Sequence, residues 1–314
     1  MRLRAAPLRP ADAVPLKHSR IIPRVADVKL MYFSCKEGNF GDDLNAWIWD
    51  RLIPGWREWD DDVTLFGVGT LINDQSAARY ERKRVLVLGT GVGYGAAPPK
   101  RIPAGWDIRA LRGPNSARRL GLDEGTGLID PAVLCAGFAE FDNPARSDRP
   151  VFVPHNGSVG QHDWGHTSRK FNDDYVSPSM EAIHVIRSVA EAPLVIAESM
   201  HAAIFAEAFR IPWIPISIGR QFNAAKWGDV FESTCLAPRF HAFSLGIDRL
   251  EKELFMPRLR RYQRGFWHLV RRLRVENDLA RIIEAQPLLG NGAELERRKL
   301  AYRRILEDVR RCYA

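Results

Sequence analysis

The sequence predicts an α/β fold built mainly on parallel strands, and three observations carry that expectation. From Asp27 onward, short apolar runs of strand length alternate with segments whose apolar residues recur at helical spacing. Glycines and prolines punctuate the junctions between them. At 314 residues, with 46% hydrophobic and 27% charged content, the chain has the composition of a globular protein and room for two units of ordinary size.

The elements follow in order. Residues 1–26 carry Arg2, Arg4, Arg9, Lys17, Arg20 and Arg24 among prolines without an apolar h-region, so they read as a mobile basic tail rather than a secretory signal. A first strand at 28–33 runs into the loop 35–41, after which Asp42 or Asp43 is placed to cap a helix with Leu44, Trp47, Ile48 and Leu52 inward. Further strands are expected at 63–68, 85–88, 108–111, 128–129 and 151–153. The polar, proline-containing stretch 140–150 is the best boundary, giving a first unit at 27–143 and a second at 150–245. In the second, Val195 and Ile196 end a strand, a helix opens at Met200 with Ile204 and Ala208 at four-residue spacing, and Pro212 stops it before a strand at 213–218. Residues 246–314 form a basic helical segment.

Charge and cysteine usage narrow the function. The formal net charge is +8, and residues 248–314 hold 17 Lys and Arg against 10 Asp and Glu, so the excess belongs to the C-terminal segment. Within it, 258–274 has seven arginines and no acid, while Tyr262, Phe266, Leu269, Val270 and Leu273 recur at helical spacing. Such a helix suits an anionic membrane surface or an acidic partner, and docking of its apolar stripe on the protein is the alternative. No recognition motif accompanies the charge, which argues against nucleic acid. No run is long enough to span a membrane. Cys35, Cys135, Cys235 and Cys312 lie far apart without a C-x-x-C pair; that pattern excludes a disulfide framework, assigns no metal site and fits the cytoplasm.

The chemistry-bearing residues cluster at strand ends. Glu198 and Ser199 close one strand, and His201 stands in the first turn of the next helix, where free N–H groups and the positive end of the helix dipole gather anions. Gly89, Gly91 and Gly93 follow another strand, and Gly91, Gly93 and Ala96 match G-x-G-x-x-A. Pro98 and Pro99 forbid the helix a dinucleotide site needs, leaving a loop whose backbone can approach a ligand. Asn39 and Gly41 lie in the loop before Asp42 and Asp43. Arg112 precedes a helix with Pro114 near its first position, where a guanidinium can fork onto carboxylate or phosphate, with a structural ion pair as the alternative. Asp130 ends a strand as a further acid, His155 stands at another strand terminus, and Arg220, Lys226 and Trp227 lie beyond the strand 213–218, Trp227 either as core or as a platform for a sugar.

The motifs Gly38 to Asp43 (GNFGDD), Gly89 to Gly91 (GTG), Arg112 to Ser116 (RGPNS), Asp130 to Ala132 (DPA), Val153 to His155 (VPH) and Ser199 to Ala206 (SMHAAIFA) together resemble the polysaccharide pyruvyl transferase family over about residues 28–232. The likeness is to members that add ketal pyruvate to exopolysaccharides of the succinoglycan type. It implies a GT-B-like pair of Rossmann-like domains facing across a cleft. It also implies phosphoenolpyruvate as co-substrate with no further cofactor, and a sugar diol of a polysaccharide or its lipid-linked precursor as acceptor. By the same resemblance Arg112 and His201 serve donor binding or catalysis, His201 working with Glu198 or Asp42 as the acid–base pair. His155, Ser199, Arg220 and Lys226 complete the donor set, and Asn39, Gly41, Gly89, Gly91 and Trp227 border the acceptor or its loops. Where many members read R-L-H, this chain reads Ser199-Met200-His201, and Arg220 or Lys226 is the expected source of the missing charge. A glycosyltransferase using a nucleotide sugar and a non-catalytic glycan-binding protein are the alternatives.

Overall fold

A computed structural model of the chain describes residues 30–59, 62–94, 97–218, 222–243 and 260–313. The expected basic tail, Arg220, and Ala96 of the glycine loop lie outside the described residues.

The first sheet is wholly parallel, in the order β1 (Leu30–Met31), β2 (Val63–Phe66), β3 (Arg84–Leu88), β4 (Trp106–Ala110). Between β1 and β2 run α1 (Phe40–Asp43) and α2 (Asn45–Leu52); α3 (Asp74–Arg79) follows β2 and α4 (Pro114–Arg119) follows β4. The second sheet uses β5 (Val151–Val153), β6 (Asp174–Tyr175), β7 (Val195–Ala197), β8 (Trp213–Ile218) and β9 (His241–Phe243), with α5 (Trp164–Lys170), α6 (Ala182–Glu191), α7 (Met200–Phe209) and α8 (Ala224–Ser233) between them. Its order is β6-β5-β7-β8-β9, again parallel throughout. Then come α9 (Arg260–Ile283) and α10 (Gly292–Tyr313).

The strands are buried on both faces, as expected of parallel sheets covered by helices; β2, β5 and β7 have no exposed residue. The largest apolar cluster is common to both sheets. It joins Phe40, Leu44, Trp49 and Leu86 to Val153, Val185, Val195 and Phe205, and takes in Leu295, Tyr302, Leu306 and Val309 of α10.

Two local expectations are corrected. Residues 128–129 make no strand: only a single bridge, Leu111 with Gly127, forms there, and Pro131 starts a 3₁₀ turn that cannot extend a ladder. Asp42 and Asp43 do not cap the helix from outside but lie within α1, because Asn39 is the residue with extended backbone and Asp43 Oδ2 accepts its N–H at 2.8 Å. In the C-terminal segment, α9 packs on β9 and α5 while α10 returns to β4 and the 3₁₀ turn Pro131–Gly137.

Candidate active site

Both sheets direct their carboxyl ends to one region, where ligands of open α/β sheets gather. Direct contacts join the two sets of strand-end loops. The Phe40 N–H donates to the Pro178 carbonyl at 2.9 Å, Asn115 Nδ2 donates to the Ala225 carbonyl at 3.2 Å, and Lys226 Nζ donates to Tyr94 Oη at 3.1 Å.

His201 is at the centre. It stands in the first turn of α7, is 8% exposed, and packs edge-on to Phe40. Its Nε2 is buried, without a hydrogen-bond partner, and 3.7 Å from Asp130 Oδ2, which is buried and unpartnered in the same way. The other oxygen of Asp130 accepts the Ala132 N–H at 2.9 Å and caps the turn that follows. Burial, with the cations of Lys226 and Arg112 adding to it, pulls the His201 imidazole down to about 3, so it is neutral at physiological pH. Burial pushes Asp130 up to about 6. Gly41 is required beside the ring, because a Cβ there would come within 2.0 Å of His201 Nδ1.

Asp42 faces the same space from α1, close enough to Gly69 that a Cβ on that glycine would meet Asp42 Oδ1 at 2.8 Å. Asn39 Nδ2 donates to Asp42 Oδ2. Burial raises Asp42 to about 7 despite the opposing field of Lys226, leaving a carboxyl group that holds its proton near neutrality. Its position is set by Asn45, fully buried, whose amide donates to the Asp42 and Val68 carbonyls at 2.9 and 3.0 Å and accepts from Val68 N–H and Trp49 Nε1. Every polar atom of that amide has a partner, which makes Asn45 a rigid pin between α2 and the end of β2.

Lys226 supplies the positive charge. It is 7% exposed, lies over the Tyr94 ring at 5.5 Å, and forms no ion pair with a described carboxylate. Its field acts on Asp42, His155, Glu198 and His201 together. His155 is half-buried at the end of β5; its Nδ1 accepts the Gly157 N–H at 3.1 Å, and burial lowers it to about 4.

Other expected site residues are tied closely into the protein. The Arg112 side chain is wholly buried: Nε and Nη2 lie 3.0 Å from Asp229 Oδ2, and Nη1 donates to the Gly69 carbonyl and Thr70 Oγ1 at 3.0 and 2.5 Å. It is the buried ion pair that the sequence left as its alternative, and Gly91 leaves room for the guanidinium, which a Cβ would meet at 2.4 Å. Trp227 is fully buried against Trp213, Phe222, Phe231 and Phe240 and offers no face to a sugar. Gly89 has φ +91° and packs against Pro131 and Tyr302. Glu198 accepts main-chain N–H groups on both oxygens, from His155 and Ile218 at 2.8 Å each, so it braces the ends of β5 and β8 even though burial raises it to about 7. Ser199 is buried at the N-cap of α7 without a side-chain capping bond.

Asp130, Tyr94, Asn45 and Asp229 carry more of the site than their sequence signals foretell. Asp130 is legible only as a strand-end acid before a proline; the others have no local mark. Among the described residues no three His, Cys, Asp or Glu side chains gather as a metal would need.

Two parallel sheets whose joined strand ends bring together a carboxyl group, an imidazole and a buried lysine define an α/β protein. The chain belongs to the polysaccharide pyruvyl transferase family, whose model matches residues 18–220. The succinoglycan biosynthesis protein ExoV of Rhizobium meliloti (strain 1021) is 42% identical to it over 202 residues, 64% of this chain and 63% of that protein's length. No solved structure matches the chain.

Proposed function

We propose that this protein transfers the pyruvyl group of phosphoenolpyruvate to two hydroxyls of an exopolysaccharide sugar, forming a ketal and releasing phosphate. The observation that carries the reading, within this family, is the pairing of an acid that keeps its proton near pH 7, Asp42, with a neutral imidazole, His201, beside the buried ammonium of Lys226. Addition across an enol ether needs that combination: one group to protonate carbon, one to take the proton of a hydroxyl, and a cation for the donor.

In this reading Asp42 gives its proton to the methylene carbon and positive charge develops at C2. The first sugar hydroxyl adds there as His201 takes its proton. A bound phosphate brings negative charge beside the ring and raises its basicity toward neutrality. The C2–phosphate bond then breaks, the departing phosphate receives the proton held by His201, and the second hydroxyl closes the ketal as its proton returns Asp42 to the acid form. Lys226 and His155 hold the phosphate and carboxylate of the donor, and Arg112 shapes the loops behind them through Asp229. Asp130 Oδ2 stands 3.7 Å from Nε2, and closing of that gap on donor binding would hold the imidazole in the Nε2–H form with its lone pair on Nδ1.

The same reading places the donor between the carboxyl ends of the two sheets, in a GT-B-like cleft, and gives the enzyme a cytoplasmic, lipid-linked acceptor. No cofactor besides the co-substrate takes part. The test is incubation of pure protein with a lipid-linked glycan and either phosphoenolpyruvate or a nucleotide sugar. Phosphate released only with acceptor is the expected result, and nucleoside diphosphate released from a nucleotide sugar instead would overturn the assignment.

A further inference from the structure

α9 carries two apolar stripes. Val275, Leu279 and Ile282 are buried in the core of the second sheet with Phe152, Ile196, Ile216 and Phe243. Phe266, Leu269 and Leu273 form the other stripe and are 56%, 45% and 48% exposed. At about 100° per residue, Leu273 and Val275 stand about 200° apart, so the second stripe points away from the body of the protein.

At the same 100° per residue, Arg272 and Arg274 flank the exposed stripe about 90° and 110° to either side, Arg272 also lying 3.7 Å from Glu276 Oε1, while Arg271 stands behind it. Residues 258–274 hold seven arginines and no acid. The first acids of the helix, Glu276 and Asp278, lie on its buried side, where Glu276 accepts from Lys170 Nζ at 2.5 Å and Asp278 from Arg281 at 2.8 Å. Arg274 is exposed and makes no ion pair with a described residue. A stripe one side chain wide, about 10 Å long at 1.5 Å per residue, falls far below the roughly 800 Å² per partner of a stable protein interface. A bilayer asks only for a shallow apolar line and cationic flanks.

We propose that this face of α9 lies in the headgroup layer of an anionic lipid bilayer, with Phe266, Leu269 and Leu273 among the acyl chains and arginines on lipid phosphates. The surface is independent of the chemistry at the strand ends, although it rests on the proposed function for its purpose: it would hold the enzyme beside a lipid-linked acceptor.

The test is sedimentation of the full chain with vesicles of phosphatidylglycerol mixed into phosphatidylcholine, against phosphatidylcholine alone. Binding to the anionic vesicles only, weakened by salt, is expected. The triple variant F266S/L269S/L273S and, separately, Arg274→Glu should each lower partitioning about tenfold or more, with circular dichroism verifying that both remain folded. Equal binding to both vesicle types, no binding, or binding untouched by the triple variant overturns the proposal. So does a dimer on gel filtration that the triple variant dissolves, which would assign the stripe to a second copy of the chain. Phosphate release with a soluble acceptor reads the chemistry separately: its absence in the unaltered protein would sink pyruvyl transfer and leave vesicle binding standing.

Discussion

The loops at the carboxyl ends of the two sheets bring opposite chemistry to the same place. The first sheet contributes carboxyl groups, Asp42 and Asp130, whereas the second contributes nitrogens, His155, His201 and Lys226. Burial disfavours charge of either sign, so it raises the acids to about 7 and 6 and lowers the imidazoles to about 4 and 3. Both imidazoles are thus neutral at physiological pH, and Asp42 keeps a proton closer to neutrality than an ordinary carboxyl does. Lys226 is the cation among them, with neither a carboxylate partner among the described residues nor much exposure.

Removing the nitrogen side outright should have the largest effect. His201→Ala is expected to cut acceptor-dependent phosphate release by about 10²–10⁴-fold, and substantial residual turnover would overturn the role of the ring. Asp42→Asn tests the opposite side and should cost about 10²-fold. The sign of its pH dependence is fixed: Asp42 works as the protonated acid, so kcat/KM should fall as pH rises through about 7, and that limb should vanish in the variant. Gly41→Ala presses on the seam between the sides, since its Cβ would sit 2.0 Å from Nδ1; a loss of about tenfold or more is expected with the fold intact by circular dichroism.

Lys226→Met should weaken apparent phosphoenolpyruvate affinity about tenfold. Because the ammonium now holds Asp42 down, its removal should also move the alkaline limb to higher pH, and an unchanged KM together with an unmoved limb would remove Lys226 from the site. The smallest expected effect is that of a chelator: EDTA should leave phosphate release unaltered, and loss of turnover restored by a divalent cation would show that the acid–base comparison omits a metal.

Much of the scaffold was readable in advance because its signals are local. The apolar runs at 85–88 and 151–153 and the four-residue spacing of Met200, Ile204 and Ala208 each encode an element within a few residues, and β3, β5 and α7 form there. His201 was legible for the same reason, as an imidazole at a strand-to-helix junction. What could not be read was which polar groups would meet. Arg112 and Asp229, or Asp130 and His201, are distant in sequence, and only the packing of α7 and α8 on the first sheet's loops brings them together. Trp227 shows the same limit, because the aromatic residues that enclose it come from α8, β8 and the segments around them. Asp42 and Asp43 were displaced by one turn since Asn39, an equally good cap, stands just upstream.

The return of α10 to the first sheet has a mechanical meaning. After α9 the chain is pinned to the second sheet, where Glu207 accepts the Gly290 N–H at 2.8 Å and Leu288 pairs with Trp213. It then crosses back so that Leu295, Tyr302, Leu306 and Val309 enter the common core. Two covalent spans therefore bridge the sheets, one around residues 140–150 and one at 288–292. With one apolar core already common to both sheets, the second covalent span helps fix the register in which the acid and base faces meet.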